Sequence, residues 1–247
     1  RSAVRGGALA LHYAHAERLL TRLTGEVSGI ALHDMASPEG RSREIQAPVV
    51  ISATGAWADD LRAQIGTTPR LRRVRGSHLI FPFARQPVTG AGSVLHPATG
   101  RPMVAGPWEG VTLIGTTDRD HPADLSGEPA IDASEADHLL AVTTFAFPSL
   151  GLTLADAIAT QAGVRAVVDT GKEDPSKESR EYVLWDERGL LTVTGGKLTT
   201  FRRMALNALR AARGRLPRAV TLDARLPVLD PLPPERCLEG LVDPALC

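Results

Sequence analysis

The chain has 247 residues and a formal net charge of zero, and 43% of its residues are hydrophobic. This length allows one large domain or two small ones with a substantial buried core. The balanced charge argues against a broadly basic nucleic-acid surface, so any cationic site has to be local.

No apolar run approaches the roughly 18 residues that a membrane-spanning helix needs, and no charged and apolar leader opens the sequence. We therefore expect a protein that neither spans a membrane nor is exported. The two cysteines, Cys237 and Cys247, lie in a proline-rich tail, which argues against a disulfide framework or a cysteine metal cluster. A reducing, cytoplasmic location and the absence of a metal site are the corresponding predictions.

The first part of the chain predicts short strands followed by a strand, a turn and a helix. A helix end and a glycine turn come first, and the runs "ALALHYAH", "ERLLTRL", "VSGIALHD" and "SREIQA" then predict strands of a meander or hairpin. Next, residues 49–52 form a short apolar run, Gly55 allows a tight turn, and residues 58–65 have the composition of a helix.

The middle of the chain, residues 70–165, predicts a largely antiparallel sheet, because its apolar runs are short and divided by proline and glycine. One helix interrupts this sheet, with Ser134 as its N-cap and Pro148 just past its end. The polar segment "TGKEDPSKESRE" then predicts an exposed loop, and "YVLWDERGLLTVT" predicts a hairpin that turns at residues 186–189.

This hairpin leads into "TGGKLTTFRRMALNALRAA", which predicts a helix capped at Thr199 or Thr200. The predicted apolar stripe of the helix consists of Phe201, Ala205, Ala208, Leu209 and Ala212. The permissive backbone at Gly195 and Gly196, the free amides and the helix dipole favour an anion at this junction. The alternative is an ordinary glycine turn that enters a surface helix, with Lys197 in solvent.

Three cations lie in segments that could converge: Arg165, Arg180 and Lys197. Two arginines with a lysine suit a phosphate group, and for each cation the alternative is a surface ion pair. His78 lies between a glycine-serine turn and the apolar run "LIFPF". It is therefore either a proton acceptor near neutral pH or a hydrogen-bonded edge histidine.

Six segments, in this order, resemble the aerobic, quinone-linked, FAD-dependent glycerol-3-phosphate dehydrogenases: "VVISATGAWAD", "VRGSHLIFP", "PWEGVTLIGTTD", "AGVRAVVD", "SKESREYVL" and "LLTVTGGKLTTFRRMA". The resemblance implies an α/β (α+β) fold, with a partial FAD/NAD(P)-binding domain and an antiparallel β-sheet substrate domain. The implied parts are the remainder of the FAD-binding domain (1–70), the substrate-binding domain (71–165), a returning FAD-binding segment (166–215) and a linker or the start of a C-terminal helical domain (216–247).

The resemblance also implies roles for individual residues. It places FAD against Ala53, Thr54, Gly55, Gly195, Gly196, Lys197, Leu198, Thr199 and Thr200. It places glycerol 3-phosphate against Arg165, Arg180 and Lys197. His78 would take the hydroxyl proton while a hydride passes to FAD, giving dihydroxyacetone phosphate, and Arg165 would polarise the oxygen that becomes a carbonyl. Asp118 and Glu109 match family segments, but we predict neither to be catalytic, because carboxylates in turns are more often caps or ion-pair partners.

Partners and chain ends complete the set of expectations. The family implies a membrane quinone as electron acceptor, peripheral contact with the inner face of the cytoplasmic membrane, and a homodimer as one option. The sequence contains no GxGxxG loop after a first strand, so we expect a chain truncated at both ends, without the N-terminal dinucleotide-binding βαβ unit and with weakened FAD binding. Two alternatives stay open: a non-catalytic fragment that binds an anion, and a related FAD-dependent oxidase that uses oxygen or an amino-acid substrate.

Overall fold

A computed structural model describes residues 2–37, 39–121 and 125–217, together with residues 225, 227 and 229. The chain forms two compact units. The first unit comprises the described parts of Arg1–Leu71 and Arg180–Cys247, and the second comprises those of Arg72–Ser179. Most of the predicted linker at 216–247, with both cysteines, lies outside the described residues. The assignment of the sequence ranges to FAD-binding and substrate-binding domains stays a prediction.

The first unit opens with a short helix and an antiparallel three-stranded meander. Its elements are α1 (Ser2–Arg5), β1 (Ala14–Thr21), β2 (Val27–Asp34) and β3 (Ser42–Gln46), with strand order β1-β2-β3. The predicted strand in "ALALHYAH" is wrong for residues 8–13. Its alternation buries nothing, since Leu9 is 83% exposed and Leu11 55% exposed, and Tyr13 has a φ of 55°, which no strand accommodates.

A second sheet in this unit mixes parallel and antiparallel pairing. Its strands are β4 (Val50–Ser52), β11 (Val183–Glu187) and β12 (Leu190–Thr194), in the order β11-β12-β4. The predicted hairpin is confirmed, because β11 and β12 pair antiparallel across Arg188 and Gly189, which both have positive φ as such two-residue turns require. β12 pairs with β4 in parallel.

The central strand β12 is buried along its whole length. Leu190 packs with Leu19, Val27 and Ile65 in one cluster, and Leu191 and Val193 pack with helix α4 (Phe201–Ala212) in another. Successive side chains of a strand point to opposite faces, so both faces of β12 are covered, as is usual for strands in parallel pairing. This coverage explains why "LLTVT" reads as a continuous apolar run.

The apolar stripe predicted for α4 is partly wrong. Ala208 and Ala212 are buried and pack with Met204, but Phe201 is 44% exposed and Ala205 is also exposed. Burial is concentrated in the later turns of the helix, so the first apolar residue of the stripe does not reach the core. Helix periodicity alone cannot show where along its length a helix leaves the core.

Arg62 on helix α2 (Ala58–Ala63) forms a buried ionic network within this unit. Its side chain is fully buried, pairs with Asp59 and donates from Nε to Glu187 Oε2 at 2.9 Å. The guanidinium lies 4.4 Å from the ring centroid of Trp185, and Asp59 accepts the backbone N–H of Arg70 at 2.8 Å. A buried guanidinium needs this complete set of partners, because an unpaired buried charge is strongly destabilising.

The second unit is built on a six-stranded sheet. Its strands are β5 (Leu71–Pro82), β6 (Gly92–Leu95), β7 (Pro102–Trp108), β8 (Val111–Gly115), β9 (Arg119–Asp120) and β10 (Ala159–Val168). The order is β10-β5-β8-β7-β6, with β9 paired to β5. The pairs β5–β8, β8–β7, β7–β6 and β5–β9 are antiparallel, in agreement with the predicted fold class.

Helix α3 (Ala133–Ala146) packs on this sheet and buries Leu139 and Val142 against core residues of β5, β7 and β8. Its N-cap is Asp132, so the prediction of Ser134 is wrong by two residues. The Asp132 carboxylate accepts a hydrogen bond from the backbone N–H of Glu135, and the Glu135 carboxylate accepts one from the backbone N–H of Asp132. This reciprocal cap leaves no capping role for the serine. Pro148 does follow the helix end, as predicted. Within the described residues, no helix is sufficiently long and apolar to cross a membrane.

Candidate functional site

The parallel pair β4–β12 brings together the two segments predicted to contact FAD. Its register places Leu190 beside Val50 and Thr192 beside Ser52, so both strands end at the same edge of the sheet. Residues 53–55 leave from one strand and residues 195–200 from the other. The carboxyl edge of parallel strands is where ligands bind in α/β sheets.

The segment after β4 is short and open to solvent at Ala53 and Gly55. Gly55 has a φ of 59° and starts a 3-10 turn that runs into α2, which explains the glycine by backbone conformation. The hydroxyls of Ser52 and Thr54 lie 3.1 Å apart, so Thr54 is held against the end of the strand.

The turn glycines, Gly195 and Gly196, are also explained by the chain itself. Both have a φ of 76°, a conformation that favours glycine. A Cβ atom on Gly195 would come within 2.8 Å of the carbonyl oxygen of Glu181, and one on Gly196 within 2.8 Å of Met204 Sδ. The turn therefore needs glycine even without a ligand.

Beyond the turn glycines the chain is exposed at Lys197, Leu198 and Thr199, with Leu198 87% exposed. Thr200 is the N-cap of α4, yet its hydroxyl turns back, donating to the carbonyl of Lys197 at 2.8 Å and accepting its amide at 3.2 Å. Lys197 makes no ion pair with any residue that the structure describes. This junction therefore presents an ammonium group and the positive end of a helix to solvent.

In the second unit, His78 lies across a glycine of the neighbouring strand. His78 on β5 pairs with Gly115 on β8, and a Cβ atom on Gly115 would lie 2.1 Å from His78 Cδ2. The imidazole thus occupies the space that a side chain would fill. Burial, and secondly the positive charge of Arg165, lower the pKa of His78 below its ordinary value of 6.5, so the ring is neutral at pH 7.

Arg165 on β10 lies in the same way over Gly76 of β5. A Cβ atom on Gly76 would come within 1.9 Å of Arg165 Nη1. The guanidinium donates from Nη1 to Asp118 Oδ1 at 2.8 Å and to the carbonyl of Thr117 at 3.2 Å, and from Nη2 to Thr116 Oγ1 at 2.8 Å. Its side chain keeps 30% exposure. We call Gly76 and Gly115 the sheet glycines.

The structure therefore brings His78 and Arg165 together within one unit, while Arg180 and Lys197 belong to the other unit. Arg180 is exposed. The convergence of these three cations on one phosphate stays a prediction.

Of the two carboxylates in the matched segments, Asp118 has the ion-pair role expected of an acidic turn residue, and Glu109 is known here by its turn position. Glu109 lies in the tight turn between β7 and β8 with a φ of 45°. Asp118 is an ion-pair partner of both Arg165 and Arg101. The sequence did not show that Asp118 binds Arg165, a predicted site residue. One signal was available: a glycine followed by hydroxyl residues occurs in both "GSH" on β5 and "GTTD" at the end of β8.

A cavity of about 1020 Å³ also opens in the second unit, lined by Arg75, Arg101, Asp118, Asp132 and His138 among others. None of the predicted site residues lines it. Its arginines face aspartates, so it does not select one sign of charge. The described residues also contain no group of three or more histidine, cysteine, aspartate or glutamate side chains arranged for a metal ion.

Known proteins share sequence with most of this chain. The model of the DAO family, FAD dependent oxidoreductase, matches residues 1–202. The aerobic glycerol-3-phosphate dehydrogenase of Bacillus subtilis is 31% identical over 219 residues, and that of Staphylococcus epidermidis is 32% identical. In each case the match covers 87% of this chain and 39% of the relative, so the chain spans about two fifths of their length.

Solved structures share the fold of this chain. The glycerol-3-phosphate dehydrogenase from Bacillus halodurans complexed with FAD superposes with a TM-score of 0.75 at 32% identity, covering 86% of this chain and 40% of that one. The L-alpha-glycerophosphate oxidase from Mycoplasma pneumoniae, with FAD bound, has a TM-score of 0.64 at 17% identity, which shows a shared fold; it covers 94% of this chain and 57% of that one. The chain therefore belongs to the FAD dependent oxidoreductase family.

Proposed function

We propose that this chain oxidises sn-glycerol 3-phosphate to dihydroxyacetone phosphate with FAD, and that the electrons pass to a membrane quinone. The observation that carries the proposal is the placement of His78 and Arg165 over the two sheet glycines, in a chain about 31% identical to aerobic glycerol-3-phosphate dehydrogenases. Peripheral association with the inner face of the cytoplasmic membrane and a homodimeric state belong to the same proposal.

The residues present suit FAD. Segments 53–55 and 195–200 leave the same edge of the β4–β12 pair, and the second of them is exposed ahead of a 12-residue helix. Lys197 and the positive end of that helix suit a ligand that carries negative charge. When bound, FAD supplies the acceptor for the hydride.

His78 is the proposed base. Its Nδ1 atom is buried without a hydrogen-bond partner among the described residues, which leaves Nε2 to take the proton from the secondary hydroxyl. A lowered pKa keeps this nitrogen unprotonated at neutral pH, as a general base requires. The same lowered pKa makes the protonated ring a good donor when the proton is released to solvent.

Arg165 is the proposed partner of the substrate oxygen. Its guanidinium is held by Asp118, Thr117 and Thr116, so its direction is fixed before substrate arrives. A positioned cation stabilises the negative charge that develops on the oxygen as the hydroxyl loses its proton. Arg180 and Lys197, together with Arg165, supply the positive charges proposed for the phosphate.

The first test is spectroscopic. The purified chain is incubated with FAD, desalted and examined for a flavin band, and glycerol 3-phosphate is then added without oxygen. We expect a band that survives desalting and bleaches with glycerol 3-phosphate but not with glycerol or glycine. A colourless protein would contradict activity of this chain by itself and favour the non-catalytic alternative.

The electron acceptor is tested on the same sample. After bleaching, we expect a soluble quinone analogue to restore the flavin band much faster than dissolved oxygen does. Faster recovery with oxygen would instead favour the oxidase alternative.

A further inference from the structure

The loop that receives Arg165 consists of Thr116, Thr117 and Asp118, and we call it the acceptor loop. It offers the guanidinium one hydroxyl, one carbonyl and one carboxylate oxygen. A planar guanidinium bound along both Nη atoms has a defined orientation, unlike a lysine ammonium. The loop therefore sets the direction of Arg165 as well as its position.

The acceptor loop is itself held by a buried carboxylate on α3. Glu135 is fully buried, and its carboxylate accepts hydrogen bonds from Thr117 Oγ1 at 2.6 Å and from Ser77 Oγ at 3.1 Å. The amide of Ser77 donates to Thr117 Oγ1 at 2.9 Å, and Arg75 Nη2 lies 2.6 Å from Glu135 Oε2. These bonds connect the loop to the strand that carries Gly76 and His78, so it cannot shift without breaking buried contacts.

Asp118 is the charged member of the loop. Its side chain is 2% exposed, with Oδ1 accepting from Arg165 and Oδ2 from Arg101. Both oxygens of the Asp118 carboxylate thus bind arginines, and charge-assisted hydrogen bonds of this kind are the strong ones. These contacts suit a residue that holds Arg165 in place.

We propose that Asp118 is a positioning residue that fixes Arg165 over Gly76, beside His78. The inference deepens the proposed function and rests on it for the role of Arg165. Asp118 acts through Arg165 and does not touch the reacting atoms. Thr116 assists it by binding the other Nη atom of the guanidinium.

The test uses the titration of His78, which requires neither flavin nor substrate. Burial first, and then the positive charge of Arg165, lower the pKa of His78, so a change that moves the guanidinium away raises that pKa. The imidazole signals of the full chain are followed by two-dimensional NMR across pH, and Arg165→Ala defines the rise expected when the guanidinium is gone. Asp118→Asn also removes a negative charge, which by itself lowers the pKa of His78, and the same substitution made in Arg165→Ala measures that loss alone. We expect the pKa of His78 in Asp118→Asn to lie above the value that this loss alone would give.

Two further variants make the result specific. Thr116→Val removes one acceptor with little change of shape, and we expect a smaller rise in the pKa of His78. Asp120→Asn is the matched control, because Asp120 pairs with Arg72 and is 54% exposed, and we expect no change. If Asp118→Asn does not fold, as judged by near-ultraviolet circular dichroism, the pKa of His78 in Thr116→Val alone tests the proposal.

The proposal is overturned if folded Asp118→Asn changes the pKa of His78 by the same amount in the wild-type and the Arg165→Ala backgrounds, since the lost carboxylate charge would then account for the whole change and Arg165 would have stayed in place. With Asp118→Asn unfolded, an unchanged pKa in Thr116→Val overturns it equally. These outcomes do not depend on whether glycerol 3-phosphate is the substrate, so failure of the proposed function is seen separately, in the flavin spectrum.

If the flavin bleaches as proposed, a second readout follows. Asp118→Asn should lower the rate of flavin reduction at saturating glycerol 3-phosphate by about tenfold or more, because a guanidinium free to rotate is badly placed for the developing oxyanion. A change confined to KM with the saturating rate intact would argue against positioning at the reacting oxygen.

Discussion

The turn glycines and the sheet glycines are both pairs of glycines at predicted site segments, yet they are required for different reasons. Gly195 and Gly196 have positive φ and lie against the chain's own backbone and side chains. Gly76 and Gly115 do not have positive φ, and the space above them is taken by Arg165 and His78. The first pair serves the conformation of a turn, and the second makes room for two functional side chains.

The largest effect is expected from the side chains that the sheet glycines accommodate. His78→Asn should lower the rate of flavin reduction by about 10² to 10⁴-fold, the usual contribution of a general base, with glycerol 3-phosphate still bound. Stopped-flow bleaching of the flavin band measures the rate. His15→Asn, an exposed histidine on β1, is the control. An unchanged rate in His78→Asn would remove His78 as the base.

A change at a sheet glycine should damage function and spare the fold. In Gly76→Ala the new methyl group meets the far end of the Arg165 side chain, which can swing away, so we expect flavin reduction to fall by about 10²-fold with little loss of stability. Gly106→Ala on β7 is the matched control, since its Cβ would make an ordinary 3.6 Å contact. Equal activity in both variants would show that the space above Gly76 is not needed for function.

A change at a turn glycine should do the reverse and damage the fold first. Gly195→Ala combines a φ of 76° with a 2.8 Å approach to a backbone oxygen, and we expect it to lower the free energy of unfolding by about 2 kcal/mol. Urea denaturation measures this loss. Gly25→Ala has a similar φ of 82° but no atom within 4 Å, so the difference between the two variants reports the contact with Glu181. A loss no larger than in Gly25→Ala would contradict the assignment.

The pH dependence of flavin reduction tests the environment of His78, one of the two side chains that lie over the sheet glycines. With the neutral form of His78 as the proposed base and a pKa below 6.5, the rate at pH 6.5 should exceed half of its plateau value. Below the lowered pKa the rate should fall by about tenfold for each pH unit. In Arg165→Ala this limb should move to higher pH. A wild-type limb above pH 6.5 would mean that the site does not lower the pKa of His78.

The smallest effect is expected at the capping residue of α4. Thr200→Val removes the hydroxyl that bonds both backbone groups of Lys197 and should lower the free energy of unfolding by about 1 kcal/mol. Thr199→Val, at the exposed neighbouring position, should leave stability within about 0.5 kcal/mol of wild type. Equal values for the two variants would show that the back-bonding of Thr200 does not hold the turn.

The sequence predicted features that depend on neighbouring residues. The hairpin at Arg188 and Gly189, the strand and helix around Gly55, and the capping position Thr200 all follow from local turn chemistry and periodicity. Positive φ at the turn glycines is the conformation found in the ordinary glycine turn that the sequence left open as an alternative.

Features that depend on distant partners were missed. The loop after β10 reads as polar, yet Glu178 is buried and its Oε1 atom lies 3.5 Å from Nη1 of Arg72, which belongs to β5 and comes far earlier in the chain. Likewise, the sequence marks Arg165 as a cation but cannot show that Asp118, far along the chain, receives it. The exposure of Phe201 has the same cause, since the residues that α4 packs against decide which of its turns are buried.

The Arg62 network has a consequence for how the protein is made. Arg62 and Glu187 are 125 positions apart, and β4 has β12 as its partner in the sheet. The second unit is continuous from Arg72 to Ser179, so it can fold on the ribosome as soon as that stretch has emerged. The early part of the first unit has to wait, with Arg62 lacking Glu187 and β4 lacking β12, until β12 is synthesised. A translational pause before residue 194 would therefore lengthen the time for which this half-built unit is open to chaperones and proteases.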